Sequence, residues 1–199
     1  MVETSARIYL ASQSPRRAEL LAQIGVGFEL LQVDVDETPL TNEMAGIYVE
    51  RVAIAKAKAG WQQLERSGQA LLPVLGADTS VVLDSQIMGK PRDQEHALAM
   101  LRALSGRTHQ VISAVCFCYQ NKLLSTLSTT EVTFVSLADA ELERYWRSGE
   151  PVGKAGAYAI QGLGALFVEH IAGSYSAVVG LPLLETSRLL NQIEQELTL

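Results

Sequence analysis

Two adjacent arginines, Arg16 and Arg17, lie at the start of a predicted helix, directly after a short apolar strand and a hydroxyl-rich turn. Pro15 suits the first helical position, and Ser14 is a typical N-cap residue. Cations oppose the helix dipole at this end, but they lie beside free backbone N–H groups, and together these groups suit a bound anion such as a phosphate chain. A capped surface helix with two solvated arginines explains the stretch equally well, so the motif alone leaves both interpretations open.

A second chemically unusual residue is Asp78, which lies between two apolar, β-rich runs at 71–75 and 80–83. A carboxylate in such surroundings costs free energy unless it is paired, hydrogen-bonded or bound to a metal ion. It could serve as a general base toward water or hold a divalent cation. The simpler hypothesis is an aspartate in a bulge or turn that accepts hydrogen bonds from the local backbone.

Other polar residues lie where predicted elements begin or end. Glu37 follows a strand, Lys56 borders the apolar face of a long helix, and Lys90 lies in a Gly-Lys-Pro turn. Lys154 and Gln161 lie in a segment of small residues that would let a ligand approach closely. Each lysine, and Glu37, is more often a solvated surface charge when it stands alone, and Gln161 alone is more often a loop residue that hydrogen-bonds to the backbone. With the two arginines and Asp78, however, they form a set that can neutralise a polyphosphate and coordinate its metal ion.

Strand and helix patterns alternate along the chain. The predicted strands span residues 8–11, 28–35, 71–75, 80–83, 111–119, 122–127, 131–135 and 167–171. The predicted helices span residues 15–25, 43–64, 93–104, 138–147 and 182–196. This order predicts a single α/β domain over residues 1–199, with a mixed β-sheet flanked by helices, and it is compatible with two lobes around a cleft.

Composition argues against two classes of protein, general nucleic-acid-binding proteins and membrane-spanning proteins. The chain has 199 residues, 48% of them apolar, and a formal net charge of −6. The acidic balance argues against a general nucleic-acid-binding protein, although a few local cations can still dominate a cleft. No apolar run reaches the roughly 18–20 residues that span a membrane. Because residues 1–7 also lack a signal-peptide core, we expect a cytoplasmic protein without a membrane association.

The sequence lacks several common catalytic motifs. It contains no Gly-x-x-x-x-Gly-Lys-Ser/Thr loop, no complete dinucleotide fingerprint, no Gly-x-Ser-x-Gly elbow and no His-Glu-x-x-His pair. Cys116 and Cys118 share a face of a predicted strand and are poorly placed to bridge each other, so we predict two buried thiols. Direct attack by an activated water is therefore a more economical hypothesis than a covalent intermediate.

The motifs resemble those of the Maf-like nucleoside triphosphate pyrophosphatases, and the resemblance extends from Ile8 to Leu190. The matching segments are LASQSPRR (10–17), GADT (76–79), GKP (89–91), SGRTH (105–109), KAGAYAIQG (154–162) and GSYSAVVGLP (173–182). The resemblance implies a curved mixed sheet with a nucleotide cleft and a homodimer. It also implies hydrolysis of a nucleoside triphosphate to the monophosphate and pyrophosphate, dependent on a divalent metal ion, Mg²⁺ or Mn²⁺.

The resemblance also narrows the range of nucleoside triphosphates expected as substrates. Within the family, Thr79 and Gln161 mark the branch that acts on dTTP and UTP, whereas the 7-methyl-GTP branch has Gln and Glu there. The chemistry agrees, because the Gln161 amide has both a donor and an acceptor for the edge of a uracil or thymine, and Thr79 adds a hydroxyl. Two alternatives stay open: a nucleotide-binding regulator of cell division with little turnover, and a nonspecific, purine-directed or 7-methyl-GTP pyrophosphatase.

The resemblance assigns a role to each candidate residue. Asp78 is implied to accept a proton from the attacking water, with Glu37 joining it near the metal ion. Arg17, Thr79 and Gln161 are implied to select the substrate. The implied phosphate contacts are Ser12, Arg16, Lys56 and Lys90.

Overall fold

One mixed β-sheet organises residues 7–197, the part of the chain that this computed structural model describes. Seven strands form it in the order β2-β1-β3-β5-β6-β7, with β4 paired to β3. The strands are β1 (Arg7–Ala11), β2 (Gly27–Leu31), β3 (Val74–Leu83), β4 (Gln86–Met88), β5 (Thr108–Tyr119), β6 (Lys122–Phe134) and β7 (Val168–Ala172). β1 is parallel to β2 and β3, whereas β3, β5, β6 and β7 pair antiparallel.

Helices cover both faces of the sheet. They are α1 (Pro15–Gln23), α2 (Ala45–Ser67), α3 (Gln94–Leu104), α4 (Asp139–Arg147), α5 (Tyr175–Val179) and α6 (Leu183–Leu197), with short 3₁₀ helices at Ala155–Ala157 and Leu163–Phe167. The long helix α2 buries one apolar stripe against one face, while α1, α3, α4 and α6 contribute to the core on the other. The predicted α/β fold with a mixed sheet is therefore confirmed.

Three strand boundaries predicted from the sequence are wrong. β3 runs without a break from Val74 to Leu83, so Asp78 lies inside a strand, in register with Ala114 of β5, and not in a bulge or turn. β6 is likewise one strand, because its serines and threonines pair along the whole of β5. β2 ends at Leu31, not at residue 35, because its partner β1 ends at Ala11.

Several smaller predictions can also be compared with the structure. Cys116 and Cys118 are free, buried thiols, as predicted. Among residues 7–197, no helix is both long and apolar enough to cross a membrane. Of residues 1–7, on which the signal-peptide expectation rests, residues 1–6 lie outside the described residues. The domain prediction over 1–199 extends beyond the described residues at both ends, so it stays a prediction.

Candidate active site

A cavity of about 920 Å³ lies where the β1–α1 turn, the loop after β2, helix α2 and strand β3 meet. The segment before and after Tyr158 forms another part of its wall. The sequence-predicted residues all line this one cavity: Ser12, Arg16, Arg17, Glu37, Lys56, Asp78, Thr79, Lys90 and Gln161. These side chains come from six separate segments of the chain, so the fold brings together what the sequence analysis selected.

Close packing of α2 on β3 places a lysine beside Asp78. A Cβ atom on Gly76 would collide with the backbone of Ala53 and Ala57, so only glycine lets the helix approach the strand this closely. Lys56 lies on the facing side of α2, and its Nζ donates a hydrogen bond to Asp78 Oδ1 at 2.8 Å. Both residues are buried, with 8% and 7% of their surface exposed. A buried charge is tolerated when it is paired in this way.

A second carboxylate shares the same lysine. Lys56 Nζ lies 2.7 Å from Glu37 Oε1, and Lys90 Nζ lies 3.6 Å from Glu37 Oε2. Burial acts to raise the pKa of Glu37, but the hydrogen bond and charge of Lys56, with the charges of Lys90 and Arg17, outweigh it and hold the pKa below its ordinary value. The site therefore alternates cations and carboxylates, which fits a polyanionic substrate and its counter-ion.

Arg17 is held in place on the cavity wall beside Thr79. Its Nε donates to the Gly180 carbonyl at 2.9 Å, its Nη1 donates to Ser12 Oγ at 3.1 Å, and its Nη2 donates to Thr79 Oγ1 at 3.5 Å. Burial lowers the pKa of Arg17, and the charge of Asp78 opposes that effect. Burial also lowers the pKa of the neighbouring Arg16 guanidinium. The side chain of Ser14 does not cap α1, but the cavity does extend to the N-terminus of this helix.

The turn that carries Gln161 is held at both ends by side chains that the sequence analysis missed. Tyr145 Oη accepts a hydrogen bond from Ala159 N at 3.1 Å and donates one to Glu150 Oε1 at 2.7 Å. The Glu150 carboxylate also accepts from the amides of Leu163 and Gly164, at 2.8 and 2.9 Å. These contacts fix the backbone on either side of Gln161, whose side chain is exposed on the cavity wall.

The two carboxylates fit a metal ion that arrives with its substrate. Among the described residues, no group of three or more His, Cys, Asp or Glu side chains could hold a metal ion by itself. Mg²⁺ is commonly bound by one or two carboxylates, with substrate phosphates and waters completing its shell. Glu37 and Asp78 are oxygen donors of that kind, and their shared contact with Lys56 keeps them close together.

A comparison with protein families identifies the chain's relatives. A sequence model described as "Maf-like protein" matches residues 7–193. The chain belongs to the Maf family. This match includes every segment that lines the cavity.

Curated members of the Maf family resemble the chain over nearly its whole length. A protein of Saccharophagus degradans is 54% identical, covering 96% of this chain and 91% of the relative. One from Alkalilimnicola ehrlichii is 50% identical, covering 96% and 95%, and one from Chromobacterium violaceum is 51% identical, covering 99% and 100%. Each of the three relatives carries the name dTTP/UTP pyrophosphatase.

Behind the cavity of this Maf-family chain lies a buried histidine. His109 is 2% exposed, its Nε2 lies 2.9 Å from Tyr158 Oη, and its ring packs edge-on against Phe134. Nδ1 has no hydrogen-bond partner among the residues described. Burial lowers the pKa of His109 to about 4 from its ordinary 6.5. The folded protein therefore holds a neutral imidazole at neutral pH.

This histidine should make folding stability depend on pH. Between about pH 6.5 and pH 4 the unfolded chain binds a proton at His109 that the folded chain does not, so stability falls as pH falls through this window. We expect a loss of about 2 kcal/mol from this residue between pH 7.5 and pH 5. Urea unfolding of His109→Asn should lack this component, whereas His170→Asn, at an exposed histidine, should keep it. Equal pH slopes in the wild type and His109→Asn would contradict the assignment.

Proposed function

We propose that this chain hydrolyses dTTP and UTP to the monophosphate and pyrophosphate, with a role in removing normal or modified pyrimidine nucleotides. The observation that carries the proposal is the convergence of the buried carboxylate of Asp78, five cationic side chains and the hydrogen-bonding side chains of Thr79 and Gln161 on one cavity. Relatives that are 50–54% identical over at least 96% of the chain and bear the name dTTP/UTP pyrophosphatase support the same substrates.

In the proposed reaction, Asp78 accepts a proton from a water that attacks the α-phosphorus. The bond between the α-phosphorus and the bridging oxygen of the β-phosphate breaks, and pyrophosphate leaves. Lys56 Nζ lies 2.8 Å from Asp78 Oδ1 and fixes the position of this side chain, and an aspartate carboxylate can accept a proton from water. Arg16, Arg17 and Lys90 offer further positive charge to the phosphates and to the negative charge that develops as the bond breaks.

A divalent cation, Mg²⁺ or Mn²⁺, completes the proposal. Glu37 and Asp78 would hold it, and the bound ion would neutralise phosphate charge and polarise the phosphoryl oxygens. With substrate and ion present, Lys56 would contact the phosphates as well as the two carboxylates. The proposal therefore gives Lys56 a double role, in keeping the carboxylates together and in binding substrate.

Selection of the base is proposed for Thr79 and Gln161. Both side chains line the cavity, and the Gln161 turn is fixed by Glu150 and Tyr145. A site with fixed hydrogen-bonding groups rejects a base that leaves them unpaired far better than an apolar pocket does. As a further part of this proposal, we place the enzyme in the cytoplasm. We also propose a homodimer, which light scattering of the purified chain would test.

The test is a pyrophosphate-release assay with Mg²⁺ or Mn²⁺ on a panel of triphosphates: dTTP, UTP, CTP, dATP, GTP and 7-methyl-GTP. We expect dTTP and UTP to be hydrolysed with the highest kcat/KM. Binding without turnover of any triphosphate would favour a regulatory protein instead. A preference for purine nucleotides or 7-methyl-GTP would overturn the proposed substrate class while leaving the reaction intact.

Gln161→Glu should change which base is preferred. The substitution replaces the amide donor with a carboxylate that can only accept hydrogen bonds, so it should lower kcat/KM for dTTP and UTP relative to 7-methyl-GTP. A tenfold or larger change in that ratio is expected, since one mismatched polar contact costs about 1.4 kcal/mol or more. Gln63→Glu, on the far end of α2 and outside the cavity, is a matched control. An unchanged ratio would remove Gln161 from base selection.

A further inference from the structure

A buried serine beneath Thr79 has no role in the mechanism described above. Ser113 lies on β5 in register with Thr79 of β3, and it is fully buried. Its Oγ lies 2.6 Å from the carbonyl oxygen of Ala177 and 2.8 Å from Thr79 Oγ1. A series of hydrogen bonds, Thr79–Ser113–Ala177, therefore connects the cavity wall to helix α5 through two hydroxyl groups.

The direction of these hydrogen bonds follows from the last group in the series, the carbonyl of Ala177. A backbone carbonyl can only accept a hydrogen bond, so the single proton of Ser113 Oγ is committed to Ala177. Ser113 Oγ must then accept from Thr79 Oγ1, because two hydroxyl oxygens 2.8 Å apart need a proton between them. A second protein acceptor near Thr79 Oγ1, the Gly180 carbonyl at 3.4 Å, is a longer contact for the same proton.

Arg17 also favours an acceptor role for the Thr79 hydroxyl. Its Nη2 can only donate, and it points to Thr79 Oγ1 at 3.5 Å, which uses one oxygen lone pair. The proton of Thr79 is directed inward and one lone pair faces Arg17, so one lone pair is left for a ligand. Thr79 is only partly buried, and it lines the cavity. A hydroxyl that could ordinarily both donate and accept thus presents an acceptor alone.

We propose that Ser113 is a positioning residue for substrate selection: it fixes Thr79 as an acceptor that pairs with the N3–H of uracil or thymine and rejects the unprotonated N3 of cytosine. This inference rests on the proposed function and deepens it. Uracil and thymine carry a proton on N3, whereas cytosine has a lone pair there, which would face the lone pair of Thr79. Discrimination between UTP and CTP is thereby set by a residue that never touches the base.

The test compares kcat/KM for UTP and CTP in the wild type and in Ser113→Ala. Without the serine oxygen, the Thr79 hydroxyl keeps only the Gly180 carbonyl, which at 3.4 Å is a long and weak contact. The hydroxyl can then rotate and donate to the N3 of cytosine, so CTP becomes acceptable. We expect the UTP:CTP ratio to fall about tenfold, the effect of one neutral hydrogen bond. Ser113→Cys should lower the ratio as well, because a thiol is a weak acceptor, whereas Ser113→Thr keeps the hydroxyl and should keep the ratio.

A buried hydroxyl elsewhere provides the matched control. Thr186 is also fully buried and donates to the backbone carbonyl of Pro182 at 2.8 Å, outside the cavity. Thr186→Val should leave the UTP:CTP ratio unchanged even if stability falls. Equal losses on UTP and CTP in both Ser113→Ala and Ser113→Cys would show that Ser113 acts only in folding and would overturn the inference.

Measurements on the wild-type chain distinguish a failure of this inference from a failure of the proposed function. If the wild-type chain releases no pyrophosphate from UTP, the proposed function fails. If it hydrolyses UTP and CTP equally well, the proposed reaction stands and the role of the Thr79 hydroxyl is wrong.

Discussion

Replacing Asp78 with asparagine should lower kcat for dTTP and UTP by roughly 10²–10⁴-fold, the range that loss of a general base produces. The asparagine side chain has almost the same shape, and its oxygen can still accept the hydrogen bond from Lys56. It cannot accept the proton of the attacking water. The purified variant should therefore retain its cooperative unfolding transition while losing turnover, measured by pyrophosphate release and thermal unfolding.

The same substitution at Asp84 is a matched control. Asp84 directly follows β3, pairs with Arg107 at 2.7 Å on the surface, and does not line the cavity. Asp84→Asn should keep wild-type kcat. Wild-type turnover in Asp78→Asn would show that Asp78 is not the base, whereas a loss of the folded state in that variant would show that its charge is needed for folding first.

Local sequence signals picked out several of the residues that line the cavity. Arg16, Arg17, Lys90 and Gln161 lie at helix starts and glycine turns, and such positions can be recognised within a few residues. Lys56 could be placed at the edge of a buried helical face by its spacing from Val52. For the same reason the order of strands and helices, and with it the α/β class, could be predicted.

Relations between distant residues could not be predicted in this way. Asp78 was expected between two strands because glycine and aspartate are common in turns, yet pairing with β5 carries the strand through it. The role of Gly76 depends on α2, which precedes it by about ten residues and packs across it. Nor does spacing connect Ser113 to Thr79; its only local signal is a hydroxyl within an apolar strand run.

Lys56 of α2 contacts both Glu37, in the loop after β2, and Asp78 of β3. We expect Lys56→Met to have the second largest effect on stability and turnover. Methionine fills a similar volume on α2 but leaves the carboxylates of Asp78 and Glu37 facing each other without their shared cation. Removing one partner of a buried ion pair costs roughly 3 kcal/mol. Because a phosphate contact is lost as well, kcat/KM should fall by at least about 100-fold.

The pH dependence of the stability of Lys56→Met distinguishes the contribution of the lysine charge from that of side-chain packing. In the wild type the pKa of Glu37 is held below its ordinary 4.5, so its stabilising contribution is present above pH 4.5 and is lost as pH falls through the lowered value. The stability difference between wild type and variant should therefore be largest at pH 7 and shrink toward pH 4, as measured by urea unfolding. Lys58→Met, at an exposed lysine on the same helix, should show neither effect. A difference that stays constant from pH 7 to pH 4 would mean that Lys56 supports the fold through packing, and that Glu37 does not depend on it for its charge.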